Sequence, residues 1–257
     1  MQIRSVLLSA LVVAVLLFGG AGAAYFLFLR GDEVAPLALP SAGAAPSTAA
    51  IDPSGTTSGS SAGTSLPPAS GNAIDAASIP GTWTIGPDSI VGYRVRERLA
   101  SLSADSDAVG RTTSITGTVT IGGSGTSLSV SKADFSVDMT TLASDKQMRD
   151  NRLRSQGIET DTFKTSTFSL TQPVALPAGA TSGTAVDVTF HGDLTLHGVT
   201  KTVDIPAKAQ LNGNLIQVVG SLSFPFSDYN IVAPNIGNFV AVQDNGTLEF
   251  LVNLTKA

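Results

Sequence analysis

The chain has 257 residues, 20 acidic against 15 basic side chains, a formal net charge of −5 and no cysteine. The acid excess and the lack of a basic run exclude a nucleic-acid grip and charge-driven binding to anionic lipid surfaces. Without cysteine there is neither a disulfide framework nor a lipidated thiol, so the fold rests on its core alone.

The first element is Ser5 to Leu29, which runs for 25 residues without a charge. That is long enough to cross about 30 Å of hydrocarbon as a helix. Arg4 precedes it, and positive charge on that side favours a cytoplasmic N-terminus and an exported remainder. Ala21 and Ala23 offer a signal-cleavage pattern as the alternative, giving a secreted chain. The apolar run continues past that point through Tyr25–Leu29, so residues 1–30 read first as a single-pass plasma-membrane anchor with an extracytoplasmic remainder. Residues 31–80 hold 38 Gly, Pro, Ser, Ala or Thr in 50 positions, with no aromatic residue, Lys or Arg. Such a composition cannot bury enough apolar surface to fold; it predicts a flexible linker spanning about 40 Å.

From Gly81 the pattern changes to alternation, the mark of strands with one face buried and the other wet. Val91, Tyr93 and Val95 open the series, followed by Ile115 to Ile121, Ala133 to Val137, and Phe168 with Leu170. Val186 to Leu196, Val203 to Ala209, Ile216 to Phe224 and Leu248 to Leu254 complete it. About eight long strands with turn residues between them predict an all-β domain over residues 81–257, an antiparallel barrel closed on itself. One stretch breaks the rule: Ser144 to Asp161 opens with the cap-forming Ser144 and Asp145 and meets Gly157, which predicts a short helix.

The two histidines, His191 and His197, fall on the wet parity with Asp187, Thr189, Asp193 and Thr195. Six residues of extended chain separate them by roughly 20 Å, too far to share an ion. No metal is expected there, and both are expected to face solvent. Enzyme signatures are equally thin. There is no Cys nucleophile, no histidine dyad, and Ile121 to Ser127 is not a phosphate cradle because no helix pattern follows it. No catalytic residue and no cofactor are expected.

The stretches "GTWTIGPDSIVGYRV", "ITGTVTI", "DKQMRDNRLRS", "TFSL" and "GDLTLHGVTKTV", in this order, resemble the YceI-like family. The resemblance covers Gly81 to Ala257 and implies an extended lipocalin-like barrel of the bacterial envelope that binds polyisoprenoids. Two departures stand out. Glu97 occupies a position where many members have histidine, and "FSDYNIVAP" replaces the usual segment near the head-group end.

A barrel of about eight strands is either plugged by side chains or encloses one ligand. The apolar parity nominates Val91, Tyr93, Val95, Ile115, Phe135, Val137, Phe168, Phe190, Leu194, Phe224 and Phe226 as the lining. Gly117, Ala133, Gly192, Ala207, Ala209 and Gly220 share that parity, and small floors between large walls predict room for a long hydrocarbon. Pro225, Phe226, Tyr229, Ile231, Ile236 and Phe239 predict a flexible mouth. Arg149, Arg152 and Arg154, with Lys146, are the candidate seat of an anionic head group. The competing account of that cluster is a solvated helix face paired with Asp145, Asp150, Glu159 and Asp161. The resulting expectation is a non-enzymatic module that sequesters or carries an isoprenoid or quinone-like lipid. The alternative is a structural or protein-interaction module with a filled core, displayed on a membrane tether.

Overall fold

The computed structural model describes residues 34–40, 76–99, 105–125, 127–233 and 240–257. The apolar segment Ser5–Leu29 and most of the expected linker lie outside them. Among the described residues no helix is long and apolar enough to cross a membrane. The barrel falls within the compact unit Pro36–Ala257.

Eight antiparallel strands close in sequence order. β1 has two segments, Gly81–Ile85 and Ile90–Leu99; β2 likewise has Ser106–Thr112 and Ile115–Ser124. β3 is Ser127–Asp138, prolonged by Ala143–Ser144; β4 is Thr165–Leu170, β5 Val186–Leu196, β6 Val199–Asn212, β7 Leu215–Pro225 and β8 Asn245–Lys256. Each pairs with the next, and β8 returns to β1 through Lys256↔Trp83 at one end and Leu248↔Tyr93 further along. Among the described residues, strands bonded on one side only are short: Ala143–Ser144, Val174–Ala175 and Val240–Val242.

The break in β1 is held by one buried hydroxyl: Ser89 Oγ donates to Gly86 O at 2.8 Å and accepts from Asn253 N at 3.0 Å. The break in β2 is bridged by Ser114 N donating to Thr112 Oγ1 at 3.0 Å. Alternation does not announce the first half of β2. Ala108 and Val109, on opposite faces, are both buried, and the period-two signal vanishes when both faces are covered.

The barrel has two poles. At one, Trp83 is 1 % exposed and donates its indole N–H to Ile79 O at 2.8 Å. Leu128, Leu211 and Leu254 are buried beside it in the same core, so this pole is closed. The two ends of the barrel domain meet here too: Ala257 N donates to Thr82 O at 3.0 Å, and the Lys256 ammonium donates to the carbonyls of Ser78, Ile79 and Pro80. The other pole carries α1, Gln147–Ser155, the β5–β6 turn and the short helix Phe226–Tyr229.

The cap of α1 differs from the expectation. Lys146 is the N-cap and makes no side-chain cap bond. Ser144 instead lies outside the helix, where its N–H and its hydroxyl both bond Asp150 Oδ1, at 3.0 and 2.6 Å. This ties the helix to the end of β3.

Candidate functional site

The inward parity encloses an open lumen in two chambers. The inner one, of about 140 Å³, runs from Ile79 and Leu211 at the closed pole to Phe168 and Phe190. The outer one, of about 410 Å³, is bounded by Tyr93, Phe224, Phe226 and the inner face of α1. Val91, Val137, Ser166 and Leu248 border both, so the two chambers adjoin. All eleven residues of the predicted lining stand on these walls.

The glycines do a different job from the expected one. A methyl group on Gly117 would fall 2.4 Å from the Phe135 ring; on Gly192, 2.4 Å from Phe168; on Gly220, 2.5 Å from Phe250; on Gly110, 2.3 Å from Tyr93. Gly117, Gly220 and Gly110 are the direct cross-strand partners of their rings. At Gly117, Gly192 and Gly220 the methyl would also meet a backbone carbonyl, at 2.4, 2.5 and 2.9 Å, whereas at Gly110 its three nearest atoms all belong to Tyr93. The space beside these glycines is thus occupied by neighbouring rings and backbone rather than left as gaps in the lumen.

The mouth is packed rather than loose. Phe226, Tyr229 and Ile231 are buried, Tyr229 at 1 % exposure, and its ring meets Phe224 edge-on at 5.0 Å. Burial pushes the Tyr229 phenol up to about 12, with the Asp228 charge adding to it. Ile236 and Phe239 lie outside the described residues.

The same pole corrects the histidine expectation. His191 does face outward, bonded through Nδ1 to Asp204 Oδ1 at 2.7 Å. His197 does not. Its side chain is 8 % exposed, its ring is tilted by 55° against that of Phe163 at a centroid distance of 4.2 Å, and its Nδ1 donates to Tyr229 O at 2.9 Å. The reason is that β5 ends at Leu196. His197 and Gly198, with φ of 50° and 73°, form a two-residue hairpin turn in the left-handed region, which rotates the ring off the wet face. His197 thereby pins the Phe226–Tyr229 helix that walls the mouth.

The charged rim is only partly free. Arg149 lines the outer chamber and bonds Glu97 Oε1 at 2.8 Å and Asp145 Oδ1 at 2.5 Å. Its guanidinium is half-buried, yet these bonds outweigh the burial and hold its pKa above the ordinary arginine value. Glu97 is 7 % exposed, so this pair joins the mouth end of β1 to α1 across the opening. Arg152 also lines the chamber, whereas Arg154 is exposed and away from it. Tyr93, beside them, has a buried hydroxyl with no partner, and burial holds it far above the usual phenol value, so it stays protonated. Alternation did not single out Glu97 as a wall residue. Its parity with Val91, Tyr93 and Val95 was the available signal.

A YceI-like domain is matched across residues 83–254, two thirds of the chain. The chain belongs to the YceI-like family. UPF0312 proteins of Vibrio vulnificus (strain YJ016) and Vibrio parahaemolyticus are 30 % and 32 % identical to it over 123 and 120 residues. Those stretches are 45 % and 44 % of this chain, which spans about three fifths of these relatives, 61 % and 60 % of their lengths. Among solved structures, a polyisoprenoid binding domain from Saccharophagus degradans superposes with a TM-score of 0.52 at 17 % identity, over 69 % of this chain and 99 % of that one. The likeness at that identity is one of fold: the YceI-like barrel and its closure are shared.

Proposed function

We propose that this chain binds, without catalysis, an isoprenoid or similar long-chain lipid whose apolar part occupies both chambers. One observation carries the reading. Two adjoining chambers follow one another from the mouth towards the closed pole, and their walls are apolar over nearly their whole length. Burial returns about 0.8 kcal/mol per methylene, so ten to twelve buried carbons supply some 8–10 kcal/mol before the cost of association. The binding named for the Saccharophagus degradans domain supports the same ligand class.

The eleven lining residues, Val91 to Phe226, are the proposed contacts for the chain. Their side chains offer dispersion contact and water exclusion, and nothing among them suits group transfer. The place of action we propose is the cell envelope, with residues 1–30 as anchor and 31–80 as linker. The uncharged Ser5–Leu29 run supports this.

The test is to strip the purified full chain of lipid and reload it with a prenyl alcohol of defined length, read by native mass spectrometry. One molecule per chain is expected. Failure to take up any prenyl or alkyl chain, by a protein still melting cooperatively, sinks the proposal.

A further inference from the structure

The wall around the inner chamber is not equally joined on all sides. β5 and β6 are paired along their shared length, from Val186↔Ala209 to Leu196↔Val199. β4 and β5 are paired only towards the mouth, from Thr167↔Thr195 to Leu170↔Gly192, after which Thr171 N adds one bond to His191 O at 3.0 Å. Beyond that bond the chain of β4 parts from β5. Its continuation, Val174–Ala175, pairs with β3 alone, through Ser129↔Ala175 and Val130↔Val174. No strand pairing therefore joins residues 172–176 to residues 186–190. These stretches are the two lips of a seam, about 17 Å long at the rise of an extended strand.

The sequence accounts for it. Pro173 and Pro177 have no N–H to give to a ladder, and they bracket Val174–Ala175 and hold it to two pairs. The turn that follows places Gly179 and Gly183 at φ of 92° and 77°. It is tied to the barrel by Leu176 N donating to Leu128 O at 2.9 Å and Gln210 Nε2 donating to Gly183 O at 3.0 Å. Side chains close the seam itself. Val174 and Leu176 on one lip are half-buried against the core, and Leu176 borders the inner chamber together with Val186, Val188 and Phe190 of the other lip. Parting the lips breaks no strand ladder. It uncovers apolar surface, which a hydrocarbon lying between them covers again.

The closed pole, by contrast, is a dead end, with Trp83, Leu128, Leu211 and Leu254 buried there. A chain longer than the lumen has to fold back on itself or leave through the wall. We propose that the tail of such a chain leaves sideways, between Val174–Leu176 and Val186–Phe190. The barrel then grips a fixed stretch of hydrocarbon and sets no upper limit on the length of the whole. This inference rests on the tail lying in the lumen, and it extends the ligand class to prenyl chains longer than the barrel itself.

The experiment uses the absence of cysteine from the chain. Ala175 and Thr189 are exposed, one on each lip, so the double variant Ala175→Cys/Thr189→Cys carries a spin label on either side of the seam and nowhere else. The full chain is stripped of lipid and offered geraniol, a short prenyl alcohol, or solanesol, a long one, with uptake read by native mass spectrometry. Solanesol is expected to widen the distance between the labels by roughly 5 Å, the spacing of one strand, and geraniol to leave it unchanged. With the two cysteines joined by a bifunctional maleimide before loading, geraniol should still enter and solanesol should not. On the unaltered chain, which needs no substitution, hydrogen exchange at residues 174–176 should rise with solanesol and not with geraniol. Bound solanesol with an unmoved label distance and unchanged exchange overturns the side exit and means that the tail folds back inside. An equal response to both alcohols overturns it too, since the seam would then answer to occupancy and not to length. Uptake of geraniol but not solanesol by the unaltered chain sinks the exit and leaves the tail reading standing. Failure of both alcohols overturns the tail reading itself.

Discussion

Replacing Gly110 by alanine isolates the seating of one ring. The added methyl would stand 2.3 Å from Cε1, 2.7 Å from Cζ and 2.8 Å from the hydroxyl oxygen of Tyr93, and its three nearest atoms all belong to that side chain. At a strand position of ordinary φ, Gly→Ala stabilises by about 0.4–1 kcal/mol, because alanine has less freedom to lose on folding. Here the ring must leave the wall, and forced overpacking costs about 1–3 kcal/mol. The sign of the substitution therefore depends on residue 93. In the natural background Gly110→Ala is expected to destabilise; after Tyr93→Val the same change is expected to stabilise slightly. Coupling of about 2–3 kcal/mol corresponds to roughly 1 M between urea midpoints at an m value near 2 kcal/mol/M. Urea denaturation of the four proteins measures it. Equal effects of Gly110→Ala in both backgrounds would refute the seat and make the glycine a backbone requirement. The displaced ring has the outer chamber to enter, so lipid uptake should fall in the single variant as well.

Three further outcomes are expected. Glu97→Gln removes one of the two carboxylates that hold Arg149; with Asp145 retained and the Arg149 side chain 18 % exposed, the loss is about 1–2 kcal/mol, below the 3–5 of a fully buried pair. Lipid exchange should quicken because α1 is less firmly held, and unchanged exchange rates would argue against that pair restraining the opening. His197→Ala deletes a buried hydrogen bond to Tyr229 O and should cost about 1–3 kcal/mol; hydrogen exchange should rise at residues 226–231, and undiminished protection there would contradict the pinning role. For Asp107, burial favours the neutral acid, but bonds and charge from Arg96 and Arg94 prevail and hold its carboxyl below the usual 3.8. A depressed folded value means that this stabilisation is present above the unfolded pKa and is lost as pH falls through the folded one. The melting-temperature gap between the natural chain and Asp107→Asn should be full at pH 6 and close below about pH 4; a gap independent of pH would refute it.

The lining was legible in the sequence because side-chain alternation is a property of the strand itself. Reading Val91, Tyr93 and Val95 requires no knowledge of what lies across the barrel. What failed was non-local or sat where the alternation stops. The partnership of Gly110 with Tyr93 joins residues 17 positions apart. His197 follows the parity of Asp193 and Thr195 only if the strand continues; the "HG" pair between two apolar runs was the turn signal that it does not. Among the three candidate head-group arginines, sequence gave equal weight to each. Their separation depends on Glu97, which lies 52 residues from Arg149.

The meeting of both ends of the barrel domain at the closed pole decides how the domain can be handled, by a cell or at the bench. A leader, a tag or a fused neighbour joined to either terminus of the barrel takes hold of its base, like a cup gripped from beneath, and leaves the brim clear. Because Ala257 already bonds the backbone of Thr82, a short bridge should splice the two ends. New ends cut in the Asn212–Leu215 hairpin, which turns at that same base, would then give a permuted barrel whose entrance is untouched.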